Sequence, residues 1–200
     1  APTRVALAGR TDSGVHARGQ VAAFSAETRH QAETVRKAFN ANLPEDVSVR
    51  AVRAVPAGFD PRRWARKRWY RYTIANGEAR EPLTRRGAWF VEGNLDVRAM
   101  QAAAQALAGK KDFSAFSGPL EPERTPVRTV FTAGWRCEGS TLLFDIEADA
   151  FLPQMVRRIT GSLIRVGRGA ETVEEIVRLL QQAEPGSMAY VAPAHGLCLQ

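Results

Sequence analysis

The stretch Ala8-Gly9-Arg10-Thr11-Asp12-Ser13-Gly14-Val15-His16 carries the features around which the rest of the chain is organised. The apolar run Val5–Ala8 predicts a strand, and the glycines and serine that follow it predict a tight loop. On such a loop, the carboxylate of Asp12 beside the guanidinium of Arg10 can be held ionised and open to a ligand. Asp12 can equally serve only to shape the turn, which is a common task for aspartate. A second strand is predicted after the loop, over Gln20–Ser25.

The composition bounds the class of protein. The chain has 200 residues, of which 44% are hydrophobic and 24% charged, so it can form one sizeable globular domain or two small ones sharing a core. The net charge of +7 favours a polyanionic partner, nucleic acid first, with a merely solvated basic surface as the alternative. Cys137 and Cys198 lack CxxC spacing, which argues against a disulfide framework or a zinc site and fits a reducing cytoplasm. No apolar run reaches the length of a membrane span.

A second informative stretch, residues 62–72, interleaves basic and aromatic side chains. Its members are Arg62, Arg63, Trp64, Arg66, Lys67, Arg68, Trp69, Tyr70, Arg71 and Tyr72. Guanidinium groups bind phosphates and aromatic faces stack on bases, so the combination favours binding of exposed nucleotides. The alternative is a strand whose aromatic residues face the core and whose basic residues face water. We favour the core for Trp64 and Tyr72, and nucleic acid for the basic residues.

Hydrophobic periodicity and turn signals predict an α+β fold with mostly antiparallel strands. Helices are predicted over Gln31–Asn42, Val97–Gly109, Leu152–Val166 and Val173–Gln182. Strands are predicted over Val47–Val55, Trp89–Val91, Val127–Trp135, Thr141–Ala148 and Ala194–Leu199, with a hairpin turn at Asn76-Gly77 and a loop over Lys110–Pro126.

The predicted helix Leu152–Val166 is the third informative stretch. An apolar stripe faces the core, while Arg157 lies on another side. A cation fixed on a packed helix is well placed to pair with Asp12, although a solvated arginine is the more common outcome on a helix.

Several motifs, in order along the whole chain, closely resemble those of the tRNA pseudouridine synthase A family. They are Gly9–Ala17 with Gly19-Gln20-Val21, then Asn40–Pro44, Tyr70-Arg71-Tyr72, Asp112-Phe113, Arg124-Thr125-Pro126, Met155-Val156-Arg157 and Gly161-Ser162-Leu163. The chain departs from the family pattern at Ser13, where alanine is usual, and at Cys198, where tyrosine is common.

The resemblance implies the pseudouridine synthase fold, in which two α/β subdomains share one mostly antiparallel sheet with a central catalytic cleft. We expect an N-terminal subdomain over residues 1–95, with the Asp12 loop and the basic stretch, and a C-terminal subdomain over residues 96–200 that completes the cleft. In the family a strand and a helix precede the catalytic motif, and both are absent from this sequence.

The resemblance also implies a reaction, the isomerisation of uridine to pseudouridine at positions 38 to 40 of the tRNA anticodon stem-loop. It implies a cytoplasmic homodimer that binds tRNA and needs no cofactor or metal. Asp12 is then the nucleophile, by attack on the sugar, by a glycal route or by attack on the base. Arg157 lies beside it, Tyr70 stacks on the uracil and handles a proton, and Arg10 holds the place of the flipped nucleotide. Phosphate contacts are expected from Arg62, Arg63, Arg66, Lys67 and Arg68.

Two other classes of function stay open from the residues alone. A non-catalytic tRNA-binding or tRNA-folding protein would use the basic stretch and would not need Asp12. An unrelated hydrolase could use Asp12, although it would lack a second carboxylate or a metal. The sequence has no P-loop, GxSxG or HExxH motif, and its histidines lack metal-ligand spacing.

Overall fold

A computed structural model describes residues 3–121 and 123–200. The chain divides into two compact units, one running up to Gly9 and including Val21–Ala65, the other formed by Arg10–Gln20 and Arg66–Gln200. The division into subdomains at residues 95 and 96 stays a prediction. In the described residues the strands are β1 (Ala6–Leu7), β2 (His16–Ala17), β3 (Ala22–Ala23), β4 (Arg68–Gly77), β5 (Trp89–Glu92), β6 (Gly109–Asp112), β7 (Val127–Glu138), β8 (Thr141–Ala148) and β9 (Leu197–Leu199). The helices are α1 (Ala32–Asn42), α2 (Pro61–Trp64), α3 (Val97–Gln105), α4 (Met155–Gly167) and α5 (Val173–Gln182).

In its described residues, the first unit contains one short antiparallel pair and two helices. Strand β1 pairs with β3, so both predicted strands are present but shorter than the apolar runs that predicted them. Helix α1 follows its prediction closely, and its Phe39 packs edge-on against Phe24 with ring centroids 5.7 Å apart. Helix α2 begins after Asp60, whose side chain accepts hydrogen bonds from the backbone N–H groups of Arg62 and Arg63.

The predicted strand Val47–Val55 is wrong, because this segment has no strand pairing. The backbone N–H of Val49 donates to Oδ1 of Asn40 at 2.7 Å, and Nδ2 of Asn40 donates to the carbonyl oxygen of Val49 at 3.0 Å. A side chain of α1 thereby satisfies both backbone groups that a neighbouring strand would otherwise bind. The alternating apolar pattern that predicted the strand carries no information about a side chain that binds these backbone groups.

The second unit is built on a sheet with the strand order β2-β9-β4-β8-β7-β6, and β5 also pairs with β4. The pairs β4–β8, β4–β9, β6–β7 and β7–β8 are antiparallel, whereas β2–β9 and β4–β5 are parallel. The predicted α+β class with a mostly antiparallel sheet is therefore confirmed.

The core lies between one face of this sheet and the helices of the second unit. On β4, Tyr70, Tyr72 and Ile74 are buried, and on β8 Phe144 and Ile146 are buried beside them. The apolar stripe predicted over Leu152–Val166 is buried throughout, although α4 itself begins at Met155. No member is more than 4% exposed: Leu152, Met155, Val156, Ile159, Leu163 and Val166. Each such side chain contributes about 1.5–3 kcal/mol through burial, so the stripe fixes α4 in the core.

Asn76-Gly77 does not form the predicted hairpin. Strand β4 runs parallel to β5, with Ile74 opposite Trp89, and the connection over residues 78–88 is too long for a two-residue turn. The Asn76 side chain instead donates from Nδ2 to the carbonyl oxygens of Val91 and Gly93, both at 2.8 Å. The asparagine therefore ties two parallel segments together.

Further expectations need correction. Of the strand predicted over Ala194–Leu199, only Leu197–Leu199 is strand, because Ala194–Gly196 forms a 3-10 turn. Helix α3 ends at Gln105, four residues before its predicted end at Gly109. Gly109, with a φ of +98°, is instead the first residue of β6, which extends into the predicted loop. The helical prediction failed there because Gly109 pairs with Val130 of β7. Trp64 is 58% exposed rather than in the core; it lies on the single turn of α2, and its ring packs edge-to-face with that of Phe59. Tyr72 is fully buried, as predicted.

In residues 3–121 and 123–200 no helix is long and apolar enough to cross a membrane. The same residues contain no group of three or more histidine, cysteine, aspartate or glutamate side chains arranged to hold a metal ion. Cys137 and Cys198 both carry free thiols.

Candidate active site

Asp12 stands at the beginning of a tight turn. The backbone N–H of Val15 donates to the carbonyl oxygen of Asp12 at 3.1 Å, and Gly14 has a φ of +81° at the third position of the turn. Glycine adopts that conformation without steric cost, so the sequence Asp-Ser-Gly folds into this turn readily. The turn leads directly into β2, which pairs with β9 and so fixes the loop to the sheet.

Asp12 and Arg157 meet in the structure. Nη1 of Arg157 donates to Oδ2 of Asp12 at 2.9 Å, across 145 residues of sequence. Nε of the same guanidinium donates to the carbonyl oxygen of Ala192 at 2.8 Å, and the N–H of Ala192 donates back to the Arg157 carbonyl oxygen at 3.2 Å. The arginine is thus held by the backbone on one side while it binds the carboxylate on the other.

The pair is half open to solvent. The Arg157 side chain is 16% exposed and the Asp12 side chain 39% exposed. An ion pair in such a position contributes about 0–1 kcal/mol to stability, so its main physical effect is to orient the carboxylate. Within the described part of the chain, no donor reaches Oδ1 of Asp12, which leaves this oxygen available to a reactant.

Tyr70 lies on β4, on the buried face of the sheet, and is 7% exposed. Its ring packs edge-on against Phe151, with centroids 5.2 Å apart and an interplanar angle of 85°. Burial raises the pKa of the Tyr70 phenol; the cation of Arg68 opposes that shift and the carboxylate of Asp12 adds to it. The phenol therefore keeps its proton at neutral pH. A base can stack on this ring only if neighbouring side chains move aside.

The basic stretch is not the single strand that one sequence interpretation allowed. Arg62 and Arg63 lie on α2 in the first unit, whereas Arg66 and Arg68 belong to the second unit, where β4 begins at Arg68. The change from helical turn to strand follows from Asp60 and Pro61, which start a helix that ends before Ala65.

Several of these cations already have partners in the chain. Nε of Arg63 lies 3.6 Å from Oδ2 of Asp60, and Nζ of Lys67 donates to Oε2 of Glu147 at 2.7 Å. Nη1 of Arg68 donates to the carbonyl oxygen of Asp149 at 2.9 Å.

By contrast, Arg66 and Arg10 are exposed. Their position leaves both side chains accessible to a phosphate.

Sequence reasoning missed the backbone groups that support the site. The hydroxyl of Tyr72 donates to the carbonyl oxygen of Pro193 at 2.6 Å, next to the Ala192 carbonyl that holds Arg157. His16 Nε2 lies 2.6 Å from the carbonyl oxygen of Arg86, after the Asp12 turn. Every residue has a backbone carbonyl oxygen, so the residue type does not show which of them accepts a hydrogen bond. The sequence therefore held no signal for these contacts.

Comparison with known proteins gives a family model described as tRNA pseudouridine synthase, which matches residues 2–62 and 103–200. The chain belongs to the tRNA pseudouridine synthase family. The predicted family and the predicted enzyme class, an isomerase, are thereby confirmed.

Individual members of the tRNA pseudouridine synthase family align along nearly the whole chain. A tRNA pseudouridine synthase A of Citrifermentans bemidjiense is 42% identical over 192 residues, covering 96% of this chain and 77% of the relative. The Geobacter sulfurreducens protein of the same name is 40% identical, covering 100% of this chain and 82% of its own. That of Vibrio cholerae is 42% identical, covering 99% and 75%.

Proposed function

We propose that this chain isomerises uridine to pseudouridine in tRNA, with Asp12 as the nucleophile. The observation that carries the proposal is the half-open carboxylate of Asp12, oriented through Oδ2 by Arg157 while Oδ1 is left for the reactant. The names of the aligned relatives and the net charge of +7 support tRNA as the substrate.

The reaction is an exchange of bonds within one nucleotide. The bond between uracil N1 and the sugar C1′ breaks, a bond between uracil C5 and C1′ forms, N1 gains a proton and C5 loses one. No electron is gained or lost, so the residues have to supply a nucleophile, a proton path and a place in which the detached base can turn. Asp12 supplies the nucleophile, and Arg157 stabilises its negative charge.

Tyr70 is proposed as the aromatic wall and proton donor of the site. Burial keeps its phenol protonated. Its ring lies on β4, which pairs with β9, and β9 in turn pairs with β2, the strand that directly follows the Asp12 loop. Because the target uridine must leave the stack, the protein has to offset an unstacking cost of a few kcal/mol, about the strength of several phosphate contacts. Arg10, Arg62, Arg63, Arg66 and Arg68 are the proposed phosphate contacts.

The finer proposal is that the target lies at positions 38 to 40 of the anticodon stem-loop and that the protein acts as a homodimer in the cytoplasm. The resemblance of the motifs to the tRNA pseudouridine synthase A family supports each of these points. Light scattering of the purified protein would test the dimer, since a monomer mass would contradict it.

Tritium release tests the function directly. We expect the purified protein to release tritium from tRNA made with uridine labelled at C5, because that hydrogen leaves when C5 joins the sugar. A matched tRNA with cytidine at positions 38 to 40 should release none. Release that is unchanged with the matched tRNA would contradict the proposed position. Tight binding of tRNA with no release would favour the non-catalytic alternative.

A further inference from the structure

The segment over residues 188–193 supports the arginine of the candidate site and is fastened close to both of its ends. At one end, Nη1 of Arg158 donates to the Met188 carbonyl oxygen, and the Met188 N–H donates to the Ala115 carbonyl oxygen at 3.0 Å. The same arginine is braced from Nε and Nη2 by Oε1 of Gln154, at 3.3 and 3.1 Å. The 188–193 segment is thereby attached to the first turns of α4.

At the other end, the Tyr72 hydroxyl donates to the Pro193 carbonyl oxygen at 2.6 Å. Tyr72 is fully buried on β4, and burial raises its pKa strongly, so the hydroxyl keeps its proton and stays a donor. Next to Pro193 stands Ala192, whose carbonyl oxygen accepts the hydrogen bond from Nε of Arg157. The Tyr72 bond therefore fixes the residue adjacent to the one that aims Arg157.

Between its two ends the 188–193 segment lies directly on α4. A Cβ at Gly161 would come within 2.6 Å of Cδ1 of Tyr190 and 2.8 Å of the Tyr190 carbonyl oxygen. Helix and segment touch here with no space for an added methyl group, so the segment cannot move toward the helix. Its remaining freedom is to lift away, and the bonds from Tyr72 and Arg158 oppose that movement.

We propose that Tyr72 and Arg158 are positioning residues of the reaction, which fix the two ends of the 188–193 segment and so set the direction in which Arg157 meets Asp12. This inference rests on the proposed function, because it assigns the two residues to the geometry of that site. Neither residue is proposed to touch the substrate.

The first test removes one hydroxyl. Tyr72→Phe should lower kcat for tritium release by about three- to tenfold and leave KM for tRNA unchanged, because a single hydrogen bond is lost and the RNA contacts remain. Tyr190→Phe is the matched control, since it removes a hydroxyl from the same segment where the residue is 43% exposed, and it should stay within about twofold of wild type. Equal rates for wild type and Tyr72→Phe would overturn the proposal.

A double-mutant cycle separates positioning from a general loss of structure. In an Arg157→Ala background, Tyr72→Phe should change the remaining rate by less than about twofold, because the group through which it acts is gone. A further loss as large as that in the wild-type background would overturn the proposal. If Tyr72→Phe does not fold, Arg158→Met removes one of the two hydrogen bonds at the Met188 end of the segment and gives the same cycle with Arg157→Ala, with the same outcomes.

A measurement without substrate separates this inference from the proposed function. The Arg157 Nε–H, observed by nitrogen NMR of arginine-labelled protein, should exchange with solvent several-fold faster in Tyr72→Phe than in wild type or Tyr190→Phe. Unchanged exchange would overturn the positioning role even if the enzyme is active. Absence of tritium release by wild type would instead contradict the proposed function, and the exchange result would still decide whether Tyr72 fixes Arg157.

Discussion

Two arginine–carboxylate pairs of the second unit share the same shortest distance, 2.9 Å, but differ in what surrounds them. Asp145 accepts two hydrogen bonds from Arg71, from Nε to Oδ1 at 2.9 Å and from Nη2 to Oδ2 at 3.1 Å. Its Oδ1 also accepts from the indole N–H of Trp69 at 2.8 Å. Asp12 receives a single arm of Arg157 on Oδ2. The first carboxylate has donors on both oxygens, whereas the second keeps one oxygen for another molecule.

The difference separates a structural pair from a candidate catalytic pair. The bond to Asp145 raises the pKa of Arg71, and together the two residues tie β4 to β8 on the face of β4 opposite Tyr70. The Arg157 guanidinium donates from Nε to the carbonyl oxygen of Ala192, and only its Nη1 donates to Asp12. Distance alone would rank the two pairs as equals, while the number of donors on each carboxylate distinguishes them.

The largest effect is expected from Asp12→Asn. The amide keeps the size of the side chain and removes the negative charge, so tritium release should fall by about 10³-fold or more while tRNA still binds. Single-turnover release at saturating enzyme, with a filter-binding assay alongside, measures both quantities. Turnover at the wild-type rate in Asp12→Asn would remove Asp12 as the nucleophile.

Substitution of Arg157 should cost less than substitution of Asp12. Arg157→Ala removes the orienting cation, and we expect a loss of about 10²-fold in the single-turnover rate. Arg157→Lys keeps the charge but cannot bind Ala192 and Asp12 with one planar group, so its rate should be intermediate. Arg71→Ala is the matched control. If Arg157→Ala and Arg71→Ala proved equally active, the distinction between the two pairs would fail.

Tyr70 tests whether the ring or the hydroxyl matters on the buried face of β4. Tyr70→Phe should lose about tenfold in rate if the phenol donates a proton, with unchanged tRNA affinity. Tyr70→Ala should lose more, because it also removes the ring that packs against Phe151. Wild-type turnover in the alanine variant would mean that Tyr70 only fills the core.

The sequence predicted the elements whose pattern is set by burial. The apolar stripe of α4 recurs at the 3.6-residue helical period and is buried as predicted, although Thr160, Gly161 and Ser162 are buried as well. The β7–β8 hairpin forms around Gly139, whose φ is +61°. The strand prediction failed at Val49, where the Asn40 side chain binds the backbone groups that a neighbouring strand would bind. The hairpin prediction failed at Asn76, whose side chain bridges two parallel segments rather than starting a turn.

The candidate site was predictable to a different degree. Periodicity placed Arg157 on a helix, but only the family resemblance paired it with Asp12, because local patterns hold no information about contacts across 145 residues. The acceptors at Ala192 and Pro193 are backbone carbonyls, which every residue has. Which of them meets an arginine or a tyrosine is decided by tertiary packing.

Alkaline pH should lower the stability of the protein through the two buried tyrosines of β4. Burial raises the folded-state pKa of Tyr70 and Tyr72 above the unfolded value near 10, so their contribution to stability is complete below about pH 10 and is lost as the pH rises above it. Each tyrosine then lowers the free energy of unfolding by up to about 1.4 kcal/mol per pH unit. Between pH 10 and 11, the urea unfolding free energy of Tyr72→Phe should fall less steeply with pH than that of wild type, by up to about 1.4 kcal/mol per pH unit. An equal pH dependence in the two proteins would contradict this prediction.

The smallest effect should come from single cations of the basic stretch. Arg66 is exposed, whereas Lys67 is paired with Glu147. Arg66→Ala should flatten the slope of log K for tRNA binding against log salt by about 0.7 to 0.9, because one phosphate contact is lost. Lys67→Ala should change it less. Equal slopes for wild type and Arg66→Ala would mean that Arg66 is only solvated.

Of the two ion pairs, we assign Asp12–Arg157 to the reaction and Asp145–Arg71 to the stability of the sheet. The decisive measurement is the single-turnover rate of tritium release, with the urea unfolding free energy of the same preparations, for Asp12→Asn and Asp145→Asn. We expect Asp12→Asn to lose about 10³-fold in rate and less than about 1 kcal/mol in stability. Asp145→Asn should keep its rate within about threefold and lose about 1–3 kcal/mol. A folded Asp145→Asn protein as inactive as Asp12→Asn, or an active Asp12→Asn protein, would contradict it.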